Sequence, residues 1–330
     1  MSDRHDALAV RADRVRPRTR RDVLRCVALA AVAVPLAAAC GPGYAEGPDD
    51  LVPLRDQARA DAESAAAIAG TGAAQSAALA RQVAEVRSAH ADALQAEIDR
   101  ENRPAAESPA RTAPASADLA GLGSRLDTAR AQAAALVPAQ PRHRASLLAS
   151  VAAGCAAAQQ LSDELGGGSD PGVDPAAAPV PSGTLPPETA DALQRALTAE
   201  HAAVWVYGLV SAFLPGDYTA GVADGASEHR DRRDALERIL NGAGATPVAP
   251  EAAYLPPKPV TDEQTAAAVV ATAETDAATA WRGVLDGTDD GELRTVAMRA
   301  LMGSASRGTA WRGEAGLTPA AIALPGRTAV

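Results

Sequence analysis

The sequence predicts an all-α protein in two helical halves, on three observations. Beyond Asp50 there is no sustained alternation of apolar and polar residues and there are few β-branched runs, so no strand pattern competes with a helical one. Clusters rich in Gly and Pro cut the chain into segments of helical length. The 330 residues are 47% hydrophobic and 22% charged, enough to bury a core and too apolar for a disordered polymer.

The first 39 residues read as an export signal. "TRRDVLRCVALAAVAVPLAAAC" sets Arg20 and Arg21 before Leu24 and Arg25, follows them with an uncharged stretch from Cys26 to Ala39, and ends on Cys40. The apolar stretch is short for a membrane span and contains Pro35. This order resembles a twin-arginine signal that closes on a lipoprotein processing site. The implied fate of Cys40 is lipidation, although Ala37 stands where such signals carry Leu, Val or Ile, and simple cleavage after the alanines is the alternative. Residues 40–50 would then be a short tether. With Cys26 removed and Cys40 acylated, Cys155 would be alone, so no intramolecular disulfide is expected. Its spacing from Leu148 and Val151 makes it a buried, inert thiol.

Loss of residues 1–39 removes eight arginines against four aspartates and takes the net charge from −10 to −14. A chain so acidic is a poor partner for nucleic acid and is repelled by anionic lipid, so its expected link to the membrane is a covalent anchor. The sequence points to no particular protein or small-molecule partner.

Residues 51–165 form the alanine-rich half. Helices are expected at 51–68 and 73–102, separated by "GTG", which is either a turn or a weak point in one long helix. Pro104, Pro109 and Pro114 mark a long connection, after which helices at about 117–136 and 142–165 flank "VPAQP". Seven of the eight aromatics lie beyond this half, so it must pack through small residues and is expected to be the looser part. Residues 166–187 are dense in Gly and Pro and are expected to be a solvated linker and the domain boundary.

The second half, 188–316, reads as four helices at about 188–213, 217–241, 261–286 and 292–315, with 317–330 left as a tail. Its loops run short, long, short, which implies two antiparallel pairs joined by a crossover, the ferritin-like arrangement. Over about 185–316 the chain also resembles the ferritin-like domain of unknown function found in alanine-rich exported proteins of actinobacteria. The residues that carry the resemblance are "LTAEHAAVWVYG", "SEHRDRRDAL", "AYLPPKPV" and "TAWRGE". The resemblance implies a fold and is nearly silent on activity. The first half shares loop pattern with the second, and "HADAL" at His90 loosely echoes the segment at His229, so a duplicated bundle is one reading.

Helical spacing directs several titratable side chains into the second bundle. The stripe Leu193, Leu197, Glu200, Val204, Tyr207 turns Glu200 inward, and Val270, Glu274, Ala277, Trp281, Val284 does the same for Glu274. On the helix between them the stripe reads Val222, Ala226, His229, Arg233, Leu236, Leu240, with Glu228 beside it and His201 at the edge of its own helix. Two readings of Glu200, Glu228, His229 and Glu274 stand. One is a buried ion-pair network neutralised by Arg233; the other is an iron or manganese site. The paired Glu-x-x-His ligands of a dinuclear centre are absent, the last helix carries carboxylates only near its ends, and an arginine on the stripe would repel a cation, so the network is preferred and no cofactor is expected. No nucleophile elbow, phosphate loop or Cys–His zinc spacing accompanies it, so catalysis is not expected. The expected role is a lipid-anchored envelope module that binds or scaffolds. A metal-dependent oxidoreductase or storage protein is the alternative, and a helical surface adhesin the third.

Overall fold

The computed structural model describes residues 49–101, 118–167, 172–256 and 258–327, and Arg20, Arg21 and Cys40 lie outside them. Among the described residues there are eight α-helices and no strand: α1 Val52–Thr71, α2 Ala74–Glu101, α3 Leu119–Leu136, α4 Arg142–Gln159, α5 Pro187–Val210, α6 Thr219–Gly242, α7 Glu263–Gly287 and α8 Gly291–Glu314. The all-α fold is therefore as the sequence predicts. Among these residues no helix is long and apolar enough to cross a membrane.

Local chemistry sets the helix ends. Asp118 caps α3 by accepting from Gly121 N, Asp290 caps α8 by accepting from Glu292 N and Leu293 N, and Asp262 with Thr265 forms a reciprocal capping box on α7. Pro187 opens α5, where its missing N–H costs nothing. The open question at "GTG" resolves as a turn: α1 stops at Thr71, Gly72 is extended, and α1 packs against α2. The predicted helix to 165 is shorter than expected, ending at Gln159 before a 3-10 turn over Asp163–Leu165.

In the second half α5 packs between α6 and α7, and α8 lies against α7, with a long connection from α6 to α7 and short ones elsewhere. In the first half α1 packs on α2 and α3, and α4 packs on α2 and α3. The two sets meet because α4 also packs on α7 and α8. Its side chains are buried on every side from Ala152 to Ala158, as a helix apolar all round must be. Alanine makes this possible. A bare Cβ lets four neighbouring helices approach, so the expected looseness of the alanine-rich half is not what the packing shows. One hydrophobic cluster runs from Leu51 through α4 into Trp281, Leu285 and Leu301.

Two expectations about the connections are corrected. The segment after Gly167 is not a free solvated tether throughout: Val173 and Ala178 are buried and a 3-10 turn at Pro175–Ala177 packs on α6. The packing thus continues across the expected boundary. The segment after α8 is also held down, since Ala321 is buried, His90 donates from Nε2 to the Ala323 carbonyl at 2.6 Å, and Ser150 Oγ donates to the Pro325 carbonyl at 2.9 Å. Gly154 is where that segment crosses α4; any Cβ there would collide with the Ala323 carbonyl and the His90 ring.

Candidate functional site

Three helices bring Glu200, His229 and Glu274 together, all fully buried. Glu200 sits on α5 two turns before Tyr207, His229 is central on α6, and Glu274 is central on α7. His229 Nδ1 lies 2.5 Å from Glu200 Oε2 and its Nε2 lies 3.1 Å from Glu274 Oε1. Both partners are carboxylates of an ion-pair network, so both ring nitrogens donate and the ring is an imidazolium. Burial pushes the His229 pKa down, but the charges of Glu274 and Glu200 and their hydrogen bonds more than reverse this, and the net direction is up.

The remaining partners complete the charge balance. Trp281 Nε1 donates to Glu200 Oε1 at 2.5 Å. Glu274 Oε1 accepts from Tyr207 OH at 2.7 Å and from Arg307 Nε at 2.9 Å, and Trp311 Nε1 donates to Tyr207 Oη at 3.1 Å. Burial alone would raise the Glu274 pKa; Arg307 first and His229 second outweigh it and hold the carboxyl well below the usual range. Burial, then Glu274, pushes Tyr207 well above its ordinary value, so it stays a neutral donor. Two carboxylates thus face an imidazolium and a guanidinium. Gly225 permits this arrangement, because the Tyr207 ring packs where its Cβ would be.

Arg233 is not the buried cation. It is partly exposed and pairs with neighbouring Asp234 at 2.6 Å, whereas Arg232 is fully buried and donates from Nη1 to Ser304 Oγ at 2.9 Å. The predicted stripe stepped four residues from His229; the buried face of α6 steps three, to Arg232, and then four, to Leu236. Either step keeps a residue near the same helical face, so spacing could not choose between two adjacent arginines. Glu228 is likewise outside the cluster, part-exposed, with its carboxylate beside Gly172 of the connecting segment and 3.9 Å from Arg232. His201 is buried at the helix edge, with Nε2 3.2 Å from the Val248 carbonyl.

The sequence reading missed Arg307 and the two indole donors. A signal existed, since Arg307 precedes Trp311 by four residues on α8 and a buried indole N–H needs an acceptor. It also missed a second buried network in the first half. There Asp61 accepts from Arg87 Nη2 at 2.9 Å and Arg125 Nη1 at 3.0 Å, and Arg87 Nη1 donates to His90 Nδ1 at 2.9 Å. Cys155, buried as expected, lies against Arg87 and has a raised pKa, chiefly from burial.

As a metal centre the second-bundle cluster fits poorly. Both His229 nitrogens, Glu200 Oε1 and Glu274 Oε1 are engaged by protein partners, and a guanidinium lies against Glu274. Glu274 Oε2 is the one carboxylate oxygen of the pair without a hydrogen bond. Elsewhere, Glu97, Glu101 and His143 approach closely enough to hold an ion. The Arg100 guanidinium already stands among them, its Nη2 2.9 Å from Glu97 Oε1, 2.7 Å from Glu101 Oε1 and 2.5 Å from His143 Nε2.

Beside the cluster a cleft of about 350 Å³ opens between α5 and α6. Val204, Leu214, Pro215 and Val222 give it apolar walls, the Tyr207 ring forms part of its inner face, and Arg230 lines it as well.

Fold and site together define a helical bundle that stores a charge-balanced ionic cluster in its core beside an apolar cleft. Residues 192–329 match the family model DUF4439, a domain of unknown function. The chain is also similar to a solved structure, a conserved hypothetical protein from Mycobacterium tuberculosis, at 35% identity over 43% of this chain and 96% of that one, with a TM-score of 0.38. No curated protein matches the chain.

Proposed function

We propose that this chain is an exported, lipid-anchored envelope protein whose ferritin-like bundle binds a ligand and does not turn one over. The observation that carries the binding reading is the cluster itself: its charges are balanced by its own residues, and His229 has no nitrogen left to act as a base. A group with both nitrogens donating to carboxylates holds helices together. The cleft between α5 and α6 is the place such a module offers to a small apolar ligand. Export and anchoring rest on Arg20, Arg21 and Cys40.

One observation favours the second reading, an iron or manganese protein: Glu274 Oε2 is buried without a hydrogen bond, which is costly unless something else satisfies it. Elemental analysis of the untagged chain, reconstituted with each metal, tests the choice. Substoichiometric iron, manganese and zinc are expected. A full complement that Glu200→Ala or Glu274→Ala releases would make the metal reading the correct one. For the anchor, the Cys40→Ala chain should leave the membrane fraction, and Arg20→Lys with Arg21→Lys should hold the precursor in the cytoplasm; membrane retention of Cys40→Ala would end the lipid reading.

A further inference from the structure

A second cavity, of about 270 Å³, lies where α2, α4, α7 and the segment after α8 come together. Arg100, His143, Arg282 and Arg327 line it, above an apolar floor that includes Ala93, Ala96 and Leu324. In a chain of net charge −10 the gathering of three guanidiniums, Arg100, Arg282 and Arg327, on one cavity is local and against the overall field.

We infer that this cavity is a binding site for a small dianionic oxyanion, a phosphate or phosphomonoester, held chiefly by Arg282 and Arg327. The carboxylate in the lining, Glu97, does not oppose it, because Glu97 is already saturated: Arg100 Nε donates to its Oε2 at 2.8 Å, and Arg100 Nη2 at 2.9 Å and Arg144 Nε at 3.0 Å donate to its Oε1. Burial would raise the Glu97 pKa, but the hydrogen bonds from Arg100 and Arg144 prevail and keep it ionised. Arg282 is incompletely used. Its Nη1 lies 3.2 Å from Asp286 and its Nη2 a long 3.3 Å from Ser146 Oγ, while Nε has no partner. Arg327 is exposed and makes no ion pair among the described residues. Guanidinium forks from two different segments suit the several oxygens of a phosphate better than those of a monovalent ion. The negative charge of the whole chain disfavours a long polyanion, so a compact anion that fits within the cavity is the matching ligand.

The arrangement gives the site a structural consequence. Arg327 belongs to the segment that crosses α4, Arg282 to α7 and Arg100 to α2, so a bound anion would tie both halves and the C-terminal segment together. It therefore stabilises the folded chain by linkage. The test is titration of the full chain with inorganic phosphate at fixed ionic strength, followed by calorimetry and by Tm, with chloride as the control anion. Saturable binding with a rise in Tm is expected for phosphate alone. Arg282→Ala and Arg327→Ala should each weaken it roughly tenfold, as loss of one charge-assisted hydrogen-bonding group does, whereas Arg230→Ala at the other cleft should leave it unchanged. Arg327 is a surface side chain, so its variant keeps the fold and the result stays interpretable. Equal stabilisation by chloride, no saturable phosphate binding, or unchanged binding in Arg327→Ala together with Arg282→Ala would each overturn the site.

Discussion

Each half of the molecule buries one histidine completely, and the two are held in opposite charge states. His90 lies between the Arg87 guanidinium and the Ala323 carbonyl; burial first and the Arg87 charge second lower its pKa from 6.5 to about 3, and the ring is neutral. His229 lies between Glu200 and Glu274, its pKa moves up, and the ring is charged. Burial pushes both the same way, toward the neutral form. The difference is made by the neighbours alone, a cation in one half and two anions in the other.

The two histidines therefore act on stability at opposite ends of the pH scale. Below pH 6.5 the unfolded chain protonates His90's ring while the folded chain resists until about pH 3, so stability is lost across that window as pH falls. The contribution of His229 is fully present below 6.5 and is lost as pH rises through its raised folded value. Glu274, whose folded pKa is lowered from 4.5, adds to the acid side, contributing above 4.5 and losing that contribution as pH falls.

The sharpest way to break this contrast is His229→Ala, which leaves buried Glu200 without a cation and Glu274 with Arg307 alone. A loss of about 3–5 kcal/mol in urea unfolding is expected, and one below about 1 kcal/mol would show that the cluster is not coupled as described. Next in size is the acid response. Between pH 6.5 and 3 the contribution of a neutral His90 should be lost progressively, and His90→Gln, which cannot titrate, should flatten that part of the stability curve; an unchanged slope would assign the acid loss to other groups. The smallest effect separates two adjacent arginines. Arg232→Ala removes a buried donor to Ser304 and should cost about 2–3 kcal/mol, against no more than about 0.5 kcal/mol for Arg233→Ala at the surface; equal costs would restore the predicted stripe.

Much of the frame was legible in the sequence, because helix boundaries and inward faces depend on local chemistry. Caps such as Asp262 and breakers such as Gly242–Ala243–Gly244 act over a few residues, and a stripe such as Val270, Glu274, Ala277, Trp281 states its own buried face. That suffices to assign eight helical segments and to place Glu200, His229 and Glu274 inward. What only the tertiary structure decided were the partners: Arg307 for Glu274, Trp281 for Glu200, Arg232 in place of Arg233, and the Asp61–Arg87–His90 network across α1 and α2. It also decided that the alanine-rich α4 is the central helix of the packing and that the segment after α8 closes over it. Periodicity reports the direction in which a side chain leaves its own helix. Which group it meets depends on how far each neighbouring helix slides and rotates, and those displacements are set by contacts between residues as far apart in the chain as His90 and Ala323.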